Sequence, residues 1–169
     1  RHHRLQTLLG SCVSVTVCNI YLMPGDCHFV ERHHRLQTLL GSCVSVTVWH
    51  PRHPRHHVGG MCHFLLPHRG VLPRREAMPE GLFADSAIEF LVRKIRAAGL
   101  ALKEFEAKLI GGGDMFPGQS GSAALQIGQK NIQAARQVLA RHGLICQAEH
   151  CGGDGYRNLV FEVWSGKVM

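Results

Sequence analysis

Residues 41–49 read Gly-Ser-Cys-Val-Ser-Val-Thr-Val-Trp. Val44, Val46 and Val48 alternate with Ser45 and Thr47, and successive strand side chains point to opposite faces, so 44–49 predicts a half-buried strand. After it, HPRHPRHH (50–57) is polar, proline-broken and rich in histidine, which predicts a loop. VGGMCHFLLP (58–67) predicts a second strand, entered through Gly59–Gly60 and stopped at Pro67. A Pro- and Arg-rich loop over 68–81 comes next. Apolar residues at 83, 87, 88, 91, 92 and 95 then keep helical spacing between Leu82 and Ala98, with Gly99 as the stop. FEAKLI (105–110) predicts a strand leading into the Gly111–Gly113 turn. A second helix is expected over about 129–142, with Ile132, Ala135, Val138 and Leu139 inward and Gly143 ending it. LICQAE (144–149) and LVFEVW (159–164) read as further strands around the CGGDGYR loop, with SGKV as a closing turn. The order β-β-α-β-α-β-β implies a mixed sheet with helices packed to one side.

The chain has 169 residues, 45% of them hydrophobic, which is enough for one domain with a real core. Its 18% charged content argues against disorder. No apolar run reaches the length of a membrane-spanning helix, and RHHRLQTLLGSC makes a poor signal peptide. The net charge of +7 is unevenly placed. Residues 1–75 carry nine Arg against only Asp26 and Glu31, whereas residues 76–169 are balanced. The seven Cys (12, 18, 27, 43, 62, 146 and 151) include no Cys-x-x-Cys pair. Neither a disulfide framework nor a zinc ribbon is indicated, so a reducing cytoplasm is expected.

Residues 1–17, RHHRLQTLLGSCVSVTV, recur unchanged at 32–48. Solenoid repeats diverge and need three or more units, so this is no repeat architecture. It reads as a duplication or as an artefact of sequence assembly. The two copies lead into different segments: CNIYLMPGDCHFVE after the first, WHPRHPRHHVGGMCHFLLP after the second.

Gly41-Ser42-Cys43 opens one strand and His63 lies on the next. A cysteine nucleophile needs a base and needs backbone amides to receive an oxyanion, and small residues let a substrate carbonyl approach the main chain. Residue types and spacing leave two readings open: a nucleophile with its base, or an inert buried thiol and a satisfied core histidine.

The ordered blocks narrow the choice. LQTLLGSCVSVTV, VGGMCHFLLP, AKLIGGGDMF, IGQKN and GGDGYRNLVFEVWSGKV, with PGD at 24–26, resemble the chemotaxis protein CheD family, the chemoreceptor glutamine deamidases. The resemblance covers roughly residues 21–169, leaving 1–20 as a duplicated N-terminal extension, disordered or artefactual. It implies a single compact α+β domain, an α/β/β layered sandwich with mixed β-sheets and two main helices.

By the same resemblance Cys43 is the nucleophile, His63 its base and Thr38 the group that orients the imidazole. Gly41 and Ser42 bind substrate and oxyanion. The implied reaction turns receptor Gln into Glu and releases ammonia, with no cofactor and no metal. The implied protein is a cytoplasmic monomer acting on the helical cytoplasmic domain of methyl-accepting receptors, with the CheC phosphatase as a second partner. The basic N-terminal part then faces an acidic helical partner. Nucleic acid is not expected, because no recognition motif accompanies the charge.

The chain departs from the pattern in its long His-rich 50–57 loop and in Cys62, which stands where Asn is common and puts a spare thiol beside the base. Cys12 lacks a base strand after it and is expected to be non-catalytic. His50, His53, His56 and His57 read as a solvated loop, for want of a closing ligand. Two other readings stand behind the enzyme: a weakly catalytic regulatory module for CheC or receptors, and a His/Cys metal-binding protein.

Overall fold

A computed structural model of the chain describes residues 2–6, 14–51, 57–71, 78–119 and 123–169. The strands are β1 (His2–Gln6), β2 (Ser14–Tyr21), β3 (Cys27–Glu31), β4 (His34–Leu40), β5 (Val44–Trp49), β6 (Val58–Phe64), β7 (Glu106–Gly111), β8 (Ile145–Cys151), β9 (Arg157–Glu162) and β10 (Lys167–Val168). The helices are α1 (Ala84–Ala97) and α2 (Ala123–His142). The strands build two five-stranded mixed sheets. Sheet A runs β1-β2-β4-β9-β10 and sheet B runs β3-β6-β5-β7-β8. Among these strands, β2 and β4 pair in parallel in sheet A, β7 and β8 do so in sheet B, and the other pairs are antiparallel.

Both helices pack on sheet B. Their apolar stripes, among them Ile88, Leu91 and Ile95 from α1 and Ala135, Val138 and Leu139 from α2, meet Val44, Val46 and Val48 in one core. A second core, with Leu36, Leu40, Met61 and Phe161, fills the space between the sheets. The order of layers is therefore helix, sheet B, sheet A, an α+β fold of the layered kind.

This layering corrects the half-buried reading of β5. Residues 44–48 are all at most 2% exposed, because β5 is the middle strand of the middle layer. The valines face the helices, and Ser45 and Thr47 face sheet A instead of water. Each Val so buried contributes about 1.5–3 kcal/mol, so a polar exchange on the helix side of β5 is costly. β6 is squeezed from both sides as well. A Cβ on Gly59 would lie 2.9 Å from the Phe161 ring, and one on Gly60 would lie 2.6 Å from Leu91.

Other boundaries also shift. α2 begins at Ala123, six residues before the expected 129. Sequence pattern stops short there because Gly128 is a poor helix former. It is there for space: a Cβ at 128 would meet the Gly112 carbonyl oxygen at 2.8 Å. The expected stops hold, with Gly99 and Gly143 both at φ +75° and accepted at their helix C-termini. SGKV is more than a turn, since Lys167 and Val168 pair with β9 as β10.

The identical segments do not fold alike. In the first copy His2–Gln6 pairs antiparallel with Ser14–Cys18, inside sheet A. In the second, the matching strands β4 and β5 part company, one into each sheet.

Candidate active site

Where β4 ends in sheet A, Gly41–Ser42–Cys43 carries the chain across to sheet B, so Thr38 and Cys43 face each other's layers. Thr38 is fully buried on the inner face of β4. Its hydroxyl donates to the Leu22 carbonyl at 2.8 Å and lies 2.7 Å from His63 Nδ1. A threonine has one hydroxyl proton. With that proton committed to Leu22, Thr38 accepts from His63, so Nδ1 carries the imidazole proton and Nε2 keeps its lone pair.

His63 is 2% exposed on β6, and its main chain is anchored on both sides by the 25–26 turn. Its N–H donates to the Asp26 carbonyl at 3.0 Å, and its own carbonyl accepts from Gly25 N–H at 2.7 Å. Burial penalises the charged ring and pushes the His63 pKa down to about 4, with the Asp26 charge opposing only part of that. The ring is neutral at pH 7. Its Nε2 is buried without a hydrogen-bond partner among the described residues.

Cys43 is half-buried and packs at the edge of the inter-sheet core. Burial raises its thiol pKa, so the resting group is a thiol and not a thiolate. Ser45 is directly opposite His63 in the β5–β6 pairing. Cys43, two residues earlier, therefore sits diagonally from His63 on the same face. No hydrogen bond joins Cys43 to His63 in the resting arrangement.

The backbone around the cysteine is fixed by the glycine turn after β7. Gly112 N–H donates to the Cys43 carbonyl and Gly113 N–H to the Gly41 carbonyl, both at 2.9 Å. At Gly111, φ is +117° and a Cβ would stand 2.3 Å from the Cys43 carbonyl oxygen, so only glycine closes this turn. Gly41 is pressed by Met115 and Tyr156, whose atoms would lie 2.9 and 3.3 Å from an added Cβ. A side chain at 41 would therefore have to push the Met115 and Tyr156 side chains aside.

The structure accordingly brings Thr38 and His63 into contact, sets Cys43 on the same inter-sheet face and holds Gly41 against the neighbouring turn. Sequence reasoning missed the Leu22 carbonyl, the Asp26 anchor and Ser45. Only Ser45 carried a legible signal, being two residues after Cys43 in an alternating strand. Cys62 is not beside the base. Strand alternation turns it to the helix side, where it packs in that core and lies opposite Cys27 on β3.

Cys12, His53 and His56 lie outside the described residues. His50 is 1% exposed with Nε2 2.7 Å from Glu104 Oε2, and His57 stacks on Trp49 with Nδ1 3.2 Å from the His50 carbonyl. Among the described residues no group of three or more His, Cys, Asp or Glu is placed to hold a metal ion. No helix among them is long and apolar enough to cross a membrane.

The family model described as CheD chemotactic sensory transduction matches residues 65–169, more than half of the chain. The chain belongs to the CheD family. A relative from Pseudomonas syringae pv. tomato, named "Probable chemoreceptor glutamine deamidase CheD", is 41% identical over 169 residues, 99% of this chain and 79% of the relative. Relatives from Dechloromonas aromatica and Chromobacterium violaceum, with the same name in numbered forms, are 44% and 43% identical over 149 residues. Each of these covers 88% of this chain, and the chain spans 84% and 75% of them. The family-model match starts two residues after His63, whereas the Pseudomonas alignment, over 99% of the chain, also spans Thr38, Cys43 and His63.

Proposed function

We propose that this chain is a chemoreceptor glutamine deamidase in which Cys43 is the nucleophile, His63 the general base and acid, and Thr38 the residue that orients the ring. The observation that carries the reading is the Thr38–His63 contact, because it leaves Nε2 unprotonated and without a partner, among the described residues, on the face that Cys43 shares. A buried neutral imidazole with a free lone pair is a proton acceptor held ready.

The chemistry is set by these protonation states. As the carboxamide of a substrate Gln approaches Cys43, the thiol proton passes to His63 Nε2 while sulfur bonds to the amide carbon. The oxyanion is received by main-chain amides at the Gly41–Ser42–Cys43 crossing. The imidazolium hands its proton to the departing nitrogen, ammonia leaves and a thioester remains. Water then hydrolyses the thioester to Glu. Nδ1–H donates to Thr38 throughout, which keeps the ring from turning. No redox change occurs and no cofactor is consumed.

The substrate is a glutamine on the cytoplasmic helices of a chemoreceptor, and the protein acts in the cytoplasm as a monomer. Mass spectrometry of a receptor cytoplasmic fragment incubated with the chain tests the reading. The expected result is a gain of about one dalton at defined Gln residues, lost in Cys43→Ala, since amide nitrogen is exchanged for oxygen through the thioester. Unchanged fragment mass, or a gain that survives Cys43→Ala, defeats it.

A further inference from the structure

Ser45 is fully buried, and its hydroxyl meets no hydrogen-bond partner among the described residues. On β6 it is directly opposed by His63, whose Nε2 is the other orphaned polar atom at this level of the sandwich. On β7 it is opposed by Ile110, which offers only hydrocarbon. One orphan is a donor and the other an acceptor. Buried polar atoms are seldom left unmade, because each forfeits the hydrogen bonds it had in water. Opposed residues in an antiparallel pair have Cβ atoms about 4.5–5.5 Å apart, which sets the Ser45 side chain beside that of His63. In the acyl-enzyme, once Nε2 has given up the thiol proton, a water seated there would accept from Ser45 Oγ–H and donate to His63 Nε2. Cys43, one residue before β5, is the next side chain on that face.

We propose that Ser45 is a positioning residue for the second half of the reaction: together with His63 Nε2 it holds the water that hydrolyses the Cys43 thioester. This rests on the reading of Cys43 as nucleophile and His63 as base. Once ammonia has carried away the first proton, Nε2 is free again. The water oxygen then bonds to the thioester carbonyl carbon while one water proton passes to Nε2. The tetrahedral adduct collapses, the C–S bond breaks with its electron pair on sulfur, and the imidazolium returns its proton to Cys43. The second water proton stays with the new Glu carboxyl group. Ser45 forms no bond to substrate. It fixes where the water lies, and its effect is confined to deacylation.

Competition between water and hydroxylamine for the thioester isolates that step, since hydroxylamine supplies its own nucleophile and does not need the Ser45 site. With the full chain and a Gln-bearing receptor fragment, the products are Glu from water and the hydroxamate from hydroxylamine. In Ser45→Ala the hydroxamate-to-glutamate ratio is expected to rise about tenfold over the wild type, the effect of losing one positioning hydrogen bond. The melting temperature is expected to hold or rise, because no protein group loses a partner. An unchanged or lower ratio, in a variant that melts as the wild type does, overturns the role of Ser45. A wild type that yields Glu but no hydroxamate fails the thioester mechanism itself, which separates the two ideas. A lowered melting temperature with an unchanged ratio assigns Ser45 to the fold alone and also overturns the proposal.

Discussion

Two histidines, His50 just past β5 and His63 on β6, are buried to the same depth, at 1% and 2% exposure, and they are chemically opposite. His50, just beyond the end of β5, has Nε2 against the Glu104 carboxylate and the Phe105 ring edge-on at a centroid distance of 5.1 Å. A ring nitrogen occupied in this way offers nothing to a substrate. His63 instead leans on a hydroxyl whose proton is spent on a main-chain carbonyl, so its outer nitrogen stays unprotonated and, among the described residues, without a partner. Burial alone does not make a base. The partner decides, and an already committed hydroxyl does what a carboxylate at the outer nitrogen cannot.

The contrast is tested most severely at its catalytic end. Cys43→Ala is expected to lower ammonia release by about 10⁴-fold or more, since deletion of a nucleophile leaves only binding and polar stabilisation. His63→Gln should cost roughly 10³-fold, within the range for a lost general base, with fragment binding retained. Thr38→Val removes one hydrogen bond to the ring and leaves the Leu22 carbonyl unpaired. Turnover should fall about tenfold, and stability by about 1–2 kcal/mol by denaturant titration. If Thr38→Val turned over normally, the orienting role would pass elsewhere.

The pH dependence sharpens the same contrast. The folded His63 pKa of about 4 lies below the usual value of about 6.5, so between these limits the unfolded chain binds more protons. Stability should therefore be fully present above about pH 6.5 and decline as pH falls toward 4, a slope that His63→Gln removes from a melting-temperature series. The acid limb of kcat/KM should likewise appear near pH 4 and not near 6.5. At the other histidine, Glu104→Gln is expected to leave turnover unchanged and to shift stability by less than about 1 kcal/mol, because Glu104 is 37% exposed. The smallest effect concerns the nine arginines of residues 1–75: moderate salt should slow association with an acidic receptor fragment and leave turnover at saturation untouched.

How much of this was legible before the fold was known differs from residue to residue. Val44, Val46 and Val48 announced β5, yet Ser45 and Thr47 looked solvent-facing because alternation cannot distinguish water from a second sheet. Gly128 hid the first turns of α2, since propensity records its poor helix formation and not the Gly112 carbonyl it makes room for. The Cys43–His63–Thr38 set came from the family resemblance. Twenty-five residues separate Thr38 from His63, and no local pattern joins them. The Leu22 carbonyl, which fixes the tautomer, is main chain and leaves no letter in the sequence. The two copies make the point most sharply. In the first copy His2–Gln6 pairs with β2 inside sheet A, whereas in the second the matching strands β4 and β5 lie in different sheets, so identical letters do not dictate one pairing.

Thr38 belongs to sheet A, and His63 belongs to sheet B. Turnover is therefore a gauge of how firmly the two layers stay pressed together: any slip of one sheet over the other by an ångström breaks the 2.7 Å contact and frees the ring to rotate long before the chain unfolds. Gentle heating or low denaturant should lower turnover by about the tenfold of Thr38→Val ahead of the loss of secondary structure, and a partner that clamps the layers would raise activity without touching the cysteine.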